Sequence, residues 1–80
     1  MNRILTKREK EVFTLLIANN STQQIAEILN ISEKTVRNHI SNVIQKLNVT
    51  GRSQAVIELL KLNEINLSSF FWGLFYVYFF

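Results

Sequence analysis

A stripe of long polar side chains is the part of this sequence best suited to chemistry. The stripe consists of Lys34, Arg37, Asn38, Ser41 and Gln45. Their spacing of i, i+3, i+4, i+7 and i+11 predicts one face of a helix. Cationic, amide and hydroxyl donors on such a face suit the base edges of a DNA major groove. A solvated surface helix is the alternative, although such helices more often mix Glu–Lys pairs into the face.

The composition argues against an enzyme. The 80-residue chain has no cysteine, no aspartate and a single histidine, His39. Without these residues, a thiol nucleophile, a thiolate metal site and a Ser/His/Asp triad cannot be assembled. We therefore expect no catalytic site, no metal and no other cofactor.

Positive charge is concentrated in the middle of the chain. Nine Lys and Arg residues against six acidic residues give a formal net charge of +3. Residues 31–52 hold four of these basic side chains against one acidic side chain, Glu33. A localised basic stretch is typical of proteins that bind a polyanion such as nucleic acid. On charge alone, an ordinary solvated helix face fits equally well.

Local signals predict four helices in the first 67 residues. Thr6 with Glu9 and Ser21 with Gln24 form two capping boxes, which predict the starts of the first two helices. Asn30 can take the left-handed conformation that ends a helix. Ser32 can then cap a third helix, and a fourth is expected to begin near Ser53, after the Gly51 turn.

Apolar residues at helical spacing predict which faces are buried. The expected inward side chains are Val12, Phe13, Leu16 and Ile17 in the first helix, Ile25, Ala26, Ile28 and Leu29 in the second, and Val36, Ile40, Val43 and Leu47 in the third. The apolar stripe of the fourth helix consists of Ala55, Val56, Leu59, Leu60 and Leu62. Ile57 falls off the main stripe of the fourth helix. That apolar stripe is wider than three neighbouring helices require, so it predicts either a core helix or a self-association surface.

A short helix, a turn of about three residues and a longer polar-faced helix are the parts of a helix-turn-helix. Tight corners between helices also occur in small helical proteins that bind no DNA. The order of the elements therefore favours DNA binding without establishing it.

Several anchored segments resemble the LuxR-type helix-turn-helix domain. The matching segments are Leu5 to Glu9, Gln24 to Ala26, Ile31 to Asn42, Gln45 to Leu47 and Arg52 to Val56. The likeness covers about residues 4–67, and in 33–42 and 51–56 it is strongest to a stand-alone sporulation regulator of that family. It implies an all-α, four-helix domain that binds double-stranded DNA as a dimer and controls transcription.

The resemblance also implies roles for single residues. Base edges would be read by Arg37, Asn38 and Ser41, since Arg suits guanine and Asn suits adenine. Contacts to the DNA backbone, or positioning of the helix, would fall to Lys34, Thr35, His39, Asn42 and Lys46. The dimer interface would include Val56, Leu59 and Leu60. For His39, a partly buried packing role is favoured over a DNA contact.

The composition changes near residue 67. Ten of the last eleven residues are apolar, and eight of the nine aromatic side chains lie in 70–80. We expect a DNA-binding domain over 1–67 and an apolar aromatic tail of unknown role over 68–80. As a helix, 70–80 would extend about 16 Å, half of a bilayer core of ~30 Å. It could lie at a membrane interface, cover the fourth helix or a partner's groove, or be a non-native end.

The leading hypothesis is a sequence-specific transcription regulator that reads the major groove with helix 33–47. We expect it in the cytoplasm, associated with the nucleoid, with RNA polymerase as a further candidate partner. Because only three residues precede Ile4, we expect control by the amount of protein rather than by phosphorylation or an inducer. The alternative is a small interaction module held at a membrane surface or a partner by its aromatic tail. A sigma-factor promoter-reading domain is a related possibility within the DNA-binding class.

Overall fold

The computed structural model describes residues 4–62 and 64–65. These residues form four α-helices, namely α1 (Lys7–Ile17), α2 (Thr22–Leu29), α3 (Glu33–Leu47) and α4 (Arg52–Lys61). Within the described residues there is no β-strand. The predicted all-α, four-helix architecture is confirmed. The predicted aromatic tail, 68–80, lies outside the described residues.

The predicted capping signals start the first three helices. Thr6 Oγ1 accepts a hydrogen bond from the Glu9 amide at 3.1 Å, and Glu9 Oε1 accepts one from the Thr6 amide at 2.9 Å. Ser21 and Gln24 exchange the equivalent pair at 3.1 and 2.8 Å. Ser32 caps α3 through an amide of its first turn. These bonds satisfy amides that lack a partner inside the helix, which fixes where each helix begins.

Asparagines with positive φ close the turns between helices. Asn30 (φ 57°) and Asn48 (φ 55°) cap the ends of α2 and α3, and Asn19 (φ 69°) lies in the turn after α1. The short polar side chain of asparagine tolerates this left-handed region. Since Asn30 ends α2 and Ser32 already caps α3, only three residues separate the two helices.

All four helices contribute to one apolar core. Its fully buried side chains are Val12, Phe13, Ile25, Val36, Val43, Ala55 and Leu59. Leu5 and Ile65, from the segments before α1 and after α4, close the core at its edge. Burying a large apolar side chain stabilises a fold by about 1.5–3 kcal/mol. This cluster therefore holds α3 in place from its inner side.

Two side chains of the predicted apolar stripes are exposed. Ile28 is 56% exposed and Leu62 is 46% exposed. Ile25 and Ala26 set the buried face of α2, and Ile28 lies about 110° around the helix from the middle of that face at 100° per residue. Leu62 is the C-cap of α4 and lies beyond its last packed turn. The prediction that Ile28 points inward is wrong, and Leu62 belongs to the part of the fourth apolar stripe that the core does not cover.

Candidate nucleic-acid interface

The third helix has one buried face and one exposed polar face. Its buried residues are Val36, Ile40 and Val43. Its exposed polar residues include Lys34, Arg37, Asn38, Ser41 and Gln45. Because the core occupies the inner face, the polar stripe that the spacing predicted points away from the protein. The structure thus presents a row of hydrogen-bond donors along α3.

Arg37 is held on this face by a weak contact. Its Nη1 lies 3.8 Å from Glu33 Oε1, and both side chains are about half exposed. The same Glu33 oxygen accepts a hydrogen bond from Thr22 Oγ1 of α2 at 3.3 Å. An exposed ion pair of this kind contributes about 0–1 kcal/mol, so the guanidinium can exchange it for another acceptor. Glu33 was not predicted as a site residue, although its i, i+4 spacing to Arg37 indicates that the two side chains can pair.

Four of the predicted positioning residues lie along one flank of α3. They are Thr35, His39, Asn42 and Lys46, which fall between the polar stripe and the buried face at 100° per residue. The Thr35 hydroxyl lies 2.9 Å from Ser32 Oγ, which makes it part of the helix cap. His39 is half-buried on this flank, whereas Asn42 is exposed.

Lys46 makes its polar contacts inside the molecule. Its Nζ donates to Glu9 Oε1 at 2.5 Å and to the Ile4 carbonyl oxygen at 3.3 Å. The Glu9 side chain is 4% exposed and that of Lys46 is 38% exposed. Of the two roles predicted for Lys46, this geometry favours positioning of the helix over contact with a phosphate.

Glu9 is the one buried charged side chain among the described residues. Burial alone would raise its pKa, but the hydrogen bonds from Lys46 and from the Thr6 amide, together with the ammonium charge, outweigh burial. The pKa of Glu9 is therefore lowered from its ordinary value of 4.5. The sequence predicted only a capping role for Glu9, because its partner Lys46 lies 37 residues away.

The outward side of α4 carries a patch of partly exposed apolar side chains, beside the exposed polar residues Ser53 and Lys61. Val56 and Leu60 are half-buried, and Ile57 beside them is 53% exposed. Leu59 is fully buried in the core with Ala55. The prediction that Leu59 lies in a dimer interface is therefore wrong, because its side chain has no surface left for a second chain. Ile57 is the exposed apolar neighbour of the two remaining residues.

Residues 4–62 and 64–65 contain neither a metal-binding cluster nor a membrane-spanning helix. This part of the chain holds no group of three or more His, Cys, Asp or Glu side chains that could bind a metal ion. None of its four helices is long and apolar enough to cross a membrane.

A short helix, a three-residue turn and a longer helix with an exposed cationic and amide face together define a helix-turn-helix protein. Residues 3–59 match the model of the luxR family of bacterial regulatory proteins. The chain therefore belongs to the luxR family of bacterial regulatory proteins.

Individual relatives agree with this assignment. The spore germination protein GerE of Bacillus subtilis (strain 168) is 64% identical over 64 residues, which cover 80% of this chain and 86% of GerE. A solved structure of the transcription factor GerE matches with a TM-score of 0.80 and 61% identity, covering 82% of this chain and 98% of that one. The transcriptional regulatory protein DegU of Brevibacillus brevis is 55% identical over 58 residues, which cover 72% of this chain and 25% of DegU.

These similarities confirm the LuxR-type helix-turn-helix and the likeness to GerE. The chain is a DNA-binding transcription regulator, and the alternative of a membrane-held interaction module is not favoured. The relatives named above are regulators rather than enzymes. The chain spans most of GerE but only a quarter of DegU.

Proposed function

We propose that this chain controls transcription as a homodimer, with α3 of each copy lying in a DNA major groove. The observation that carries the proposal is the two-sided character of α3. Its inner face is fixed by buried Val36, Ile40 and Val43, so its exposed polar stripe can enter a groove as a rigid unit.

Within that stripe, Arg37, Asn38 and Ser41 read base edges. A guanidinium donates to guanine O6 and N7, an amide pairs with adenine N6 and N7, and a serine hydroxyl can donate or accept. Lys34 lies on the same exposed face and contacts phosphate, which orients the helix without selecting sequence.

The dimer is formed by the outward face of α4. Val56, Ile57 and Leu60 are neighbours on this face and leave apolar surface in contact with water. Pairing two copies through this face buries that surface. It also relates the two recognition helices by a two-fold axis, so that the DNA site consists of two half-sites.

The DNA-reading role is tested with duplexes selected from a random pool. We expect the selected site to be bound at least about 10³-fold more tightly than random duplex at physiological salt. A triple variant, Arg37→Ala with Asn38→Ala and Ser41→Ala, should lose this preference. The exposed residue Lys61 of α4 supplies a control, Lys61→Ala, which should keep it. Equal affinity of the wild-type protein for selected and random DNA would contradict the proposal.

The dimer is tested with two matched isoleucines. Ile57 on α4 and Ile28 on α2 are similarly exposed, at 53% and 56%. Ile57→Glu should weaken self-association in sedimentation equilibrium, and should weaken binding to a two-half-site duplex more than to a single half-site. Ile28→Glu should leave both measurements unchanged. If the two variants behave alike, α4 is not the interface.

The cellular setting follows from the likeness to the spore germination protein GerE. The chain acts in the cytoplasm of spore-forming cells, on nucleoid DNA, and affects initiation by RNA polymerase. A fluorescent fusion should co-localise with DNA stain, and purified chain should change run-off transcription from a promoter that carries the selected site. Membrane staining that persists in the triple variant would instead support the tail-held module.

A further inference from the structure

A connected set of polar contacts joins the end of α3 to both ends of the described chain. Lys46 Nζ donates to Glu9 Oε1 and to the Ile4 carbonyl oxygen. The Ile4 amide in turn donates to Glu64 Oε1 at 2.7 Å. We call this set, Glu9, Lys46, Glu64 and the Ile4 backbone, the Glu9 clasp. Of its members, only Lys46 belongs to the helix-turn-helix motif.

The clasp adds polar contacts at the end of α3, which also packs on the core through Ile44 and Leu47. The start of α3 is fixed by the Ser32 cap and by the contact of Glu33 with Thr22 of α2. At the other end, Leu47 is only half-buried. Among the polar contacts of the described residues, those of Lys46 are the ones that join the last turn of α3 to α1 and the segment before it.

The clasp also makes the positive charge of Lys46 unavailable to DNA. Lys46 is 38% exposed and lies on the flank of α3 beside Asn42, so an unpaired ammonium could reach out of the protein. Glu9 is buried and accepts from both Lys46 and the Thr6 amide. Its oxygen is therefore fixed in place by the capping box and holds the ammonium inward.

We infer that Glu9 is a positioning residue for DNA recognition, acting through Lys46 to fix the end of α3 and to keep that lysine off the phosphates. This inference rests on the proposed DNA-reading function. A residue of α1 that does not itself contact DNA would thus contribute to the preference for the selected site. Loss of the clasp lets α3 shift against the core and gives the domain one more mobile cation. The preference for the selected site falls, while attraction to any duplex grows.

The test measures affinity for selected and random duplex against salt, in variants shown to be folded at the temperature used. Glu9→Gln keeps the shape and the acceptor for Thr6 but removes the charge. It should lower the ratio of selected to random affinity about tenfold and steepen the salt slope by about 0.9, the value for one added phosphate contact. Glu11→Gln makes the same charge change at the exposed Arg8–Glu11 pair of α1. It should leave both quantities unchanged.

Lys46 variants separate the clasp from a direct phosphate contact. Lys46→Met should reduce the affinity ratio but leave the salt slope at its wild-type value, and the double variant with Glu9→Gln should return to that slope. Lys46→Arg should rescue the ratio. If Lys46→Met flattens the slope by about 0.9, Lys46 binds phosphate and the inference is overturned.

Two other outcomes are informative. If every variant keeps the wild-type ratio and slope, the clasp only stabilises the fold, which also overturns the inference. If the wild-type chain itself shows no preference, the proposed function has failed, a result that the wild-type measurement alone reveals. Should Glu9→Gln fail to fold, Lys46→Met decides between clasp and phosphate contact through its slope and ratio.

Discussion

At the scale of single residues, the base contact proposed for Arg37 competes with its ion pair to Glu33. Glu33 holds its guanidinium at 3.8 Å on the protein surface, and a guanine edge would offer two acceptors in one plane. A guanine that accepts two hydrogen bonds from Arg37 can displace so weak an ion pair. A base with a single misplaced acceptor stabilises the contact less. The negative charge of Glu33 also opposes close approach of phosphates. In the proposed complex, Glu33 would therefore favour selective over general DNA binding.

Replacing Arg37 tests its assignment to a base edge. Arg37→Ala should cost about 1–3 kcal/mol on the selected site and relax the preference at one base pair. The measurement is affinity for a set of duplexes that differ from the selected site at single positions. Random duplex is the control, and it should lose much less. An equal loss on selected and random DNA would place Arg37 on phosphate.

Lys34 is the lysine of α3 for which we expect a phosphate contact, since Lys46 is paired with Glu9. Lys34→Ala should weaken binding to all sequences by a similar factor and reduce the salt slope by about one. Lys61→Ala, at the end of α4, is the charge-matched control. A slope that stays at the wild-type value would show that Lys34 contacts no phosphate.

The parts of the site formed by residues close together in the sequence could be predicted, and those formed by distant residues could not. The polar stripe of α3 could be read from its spacing, because i, i+3 and i+4 neighbours share a helix face whatever the fold. The exposure of Ile28 could not, since it depends on how the short α2 rests on its neighbours. The Glu9–Lys46 pair joins residues 37 apart and had no local signal. Only the packing of α1 against α3 brings them together.

At the scale of the elements, short-range capping determined where the helices begin. The boxes at Thr6 and Ser21 involve residues three apart, so the sequence predicted both starts. At α4 the pattern differs, because its N-cap is Gly51, which makes no side-chain cap bond. There Gln54 Oε1 accepts from the Thr50 amide at 2.9 Å and from the Thr50 hydroxyl at 2.6 Å. This arrangement starts α4 at Arg52, one residue before the expected Ser53.

The cap of α2 supports the turn that presents α3. Ser21→Ala removes the acceptor for the Gln24 amide and should lower the free energy of unfolding by about 1 kcal/mol. The measurement is urea denaturation followed by circular dichroism. Ser53→Ala changes an exposed serine within α4 and should have little effect or a slight stabilising one. Equal losses in the two variants would show that the Ser21 cap contributes nothing specific.

At the scale of the whole molecule, stability and DNA recognition depend on the same buried carboxylate. The apolar core joins all four helices, and the Glu9 clasp joins the ends of the described chain across the last turn of α3. The Glu9 carboxylate is almost fully buried, and its pKa is lower in the folded protein than its ordinary value. Ionising Glu9 therefore has a different free energy in the folded protein than in the unfolded chain. The fold is therefore coupled to pH through Glu9.

The direction of this coupling follows from the lowered pKa of Glu9. A carboxyl whose pKa is lower in the folded state stabilises the fold above its ordinary value of 4.5, and this stabilisation is lost as pH falls through the folded pKa. At pH 7, Glu9→Gln should lower the free energy of unfolding by about 1–3 kcal/mol, as expected for a lost hydrogen bond to a charged group. As pH falls below 4.5 and through the lower folded pKa, the wild-type and variant curves should converge, because protonated Glu9 resembles glutamine. Denaturation of both proteins across this range, with the exposed Glu11→Gln as control, measures the difference. A gap that stays constant with pH would assign the effect to shape rather than to charge.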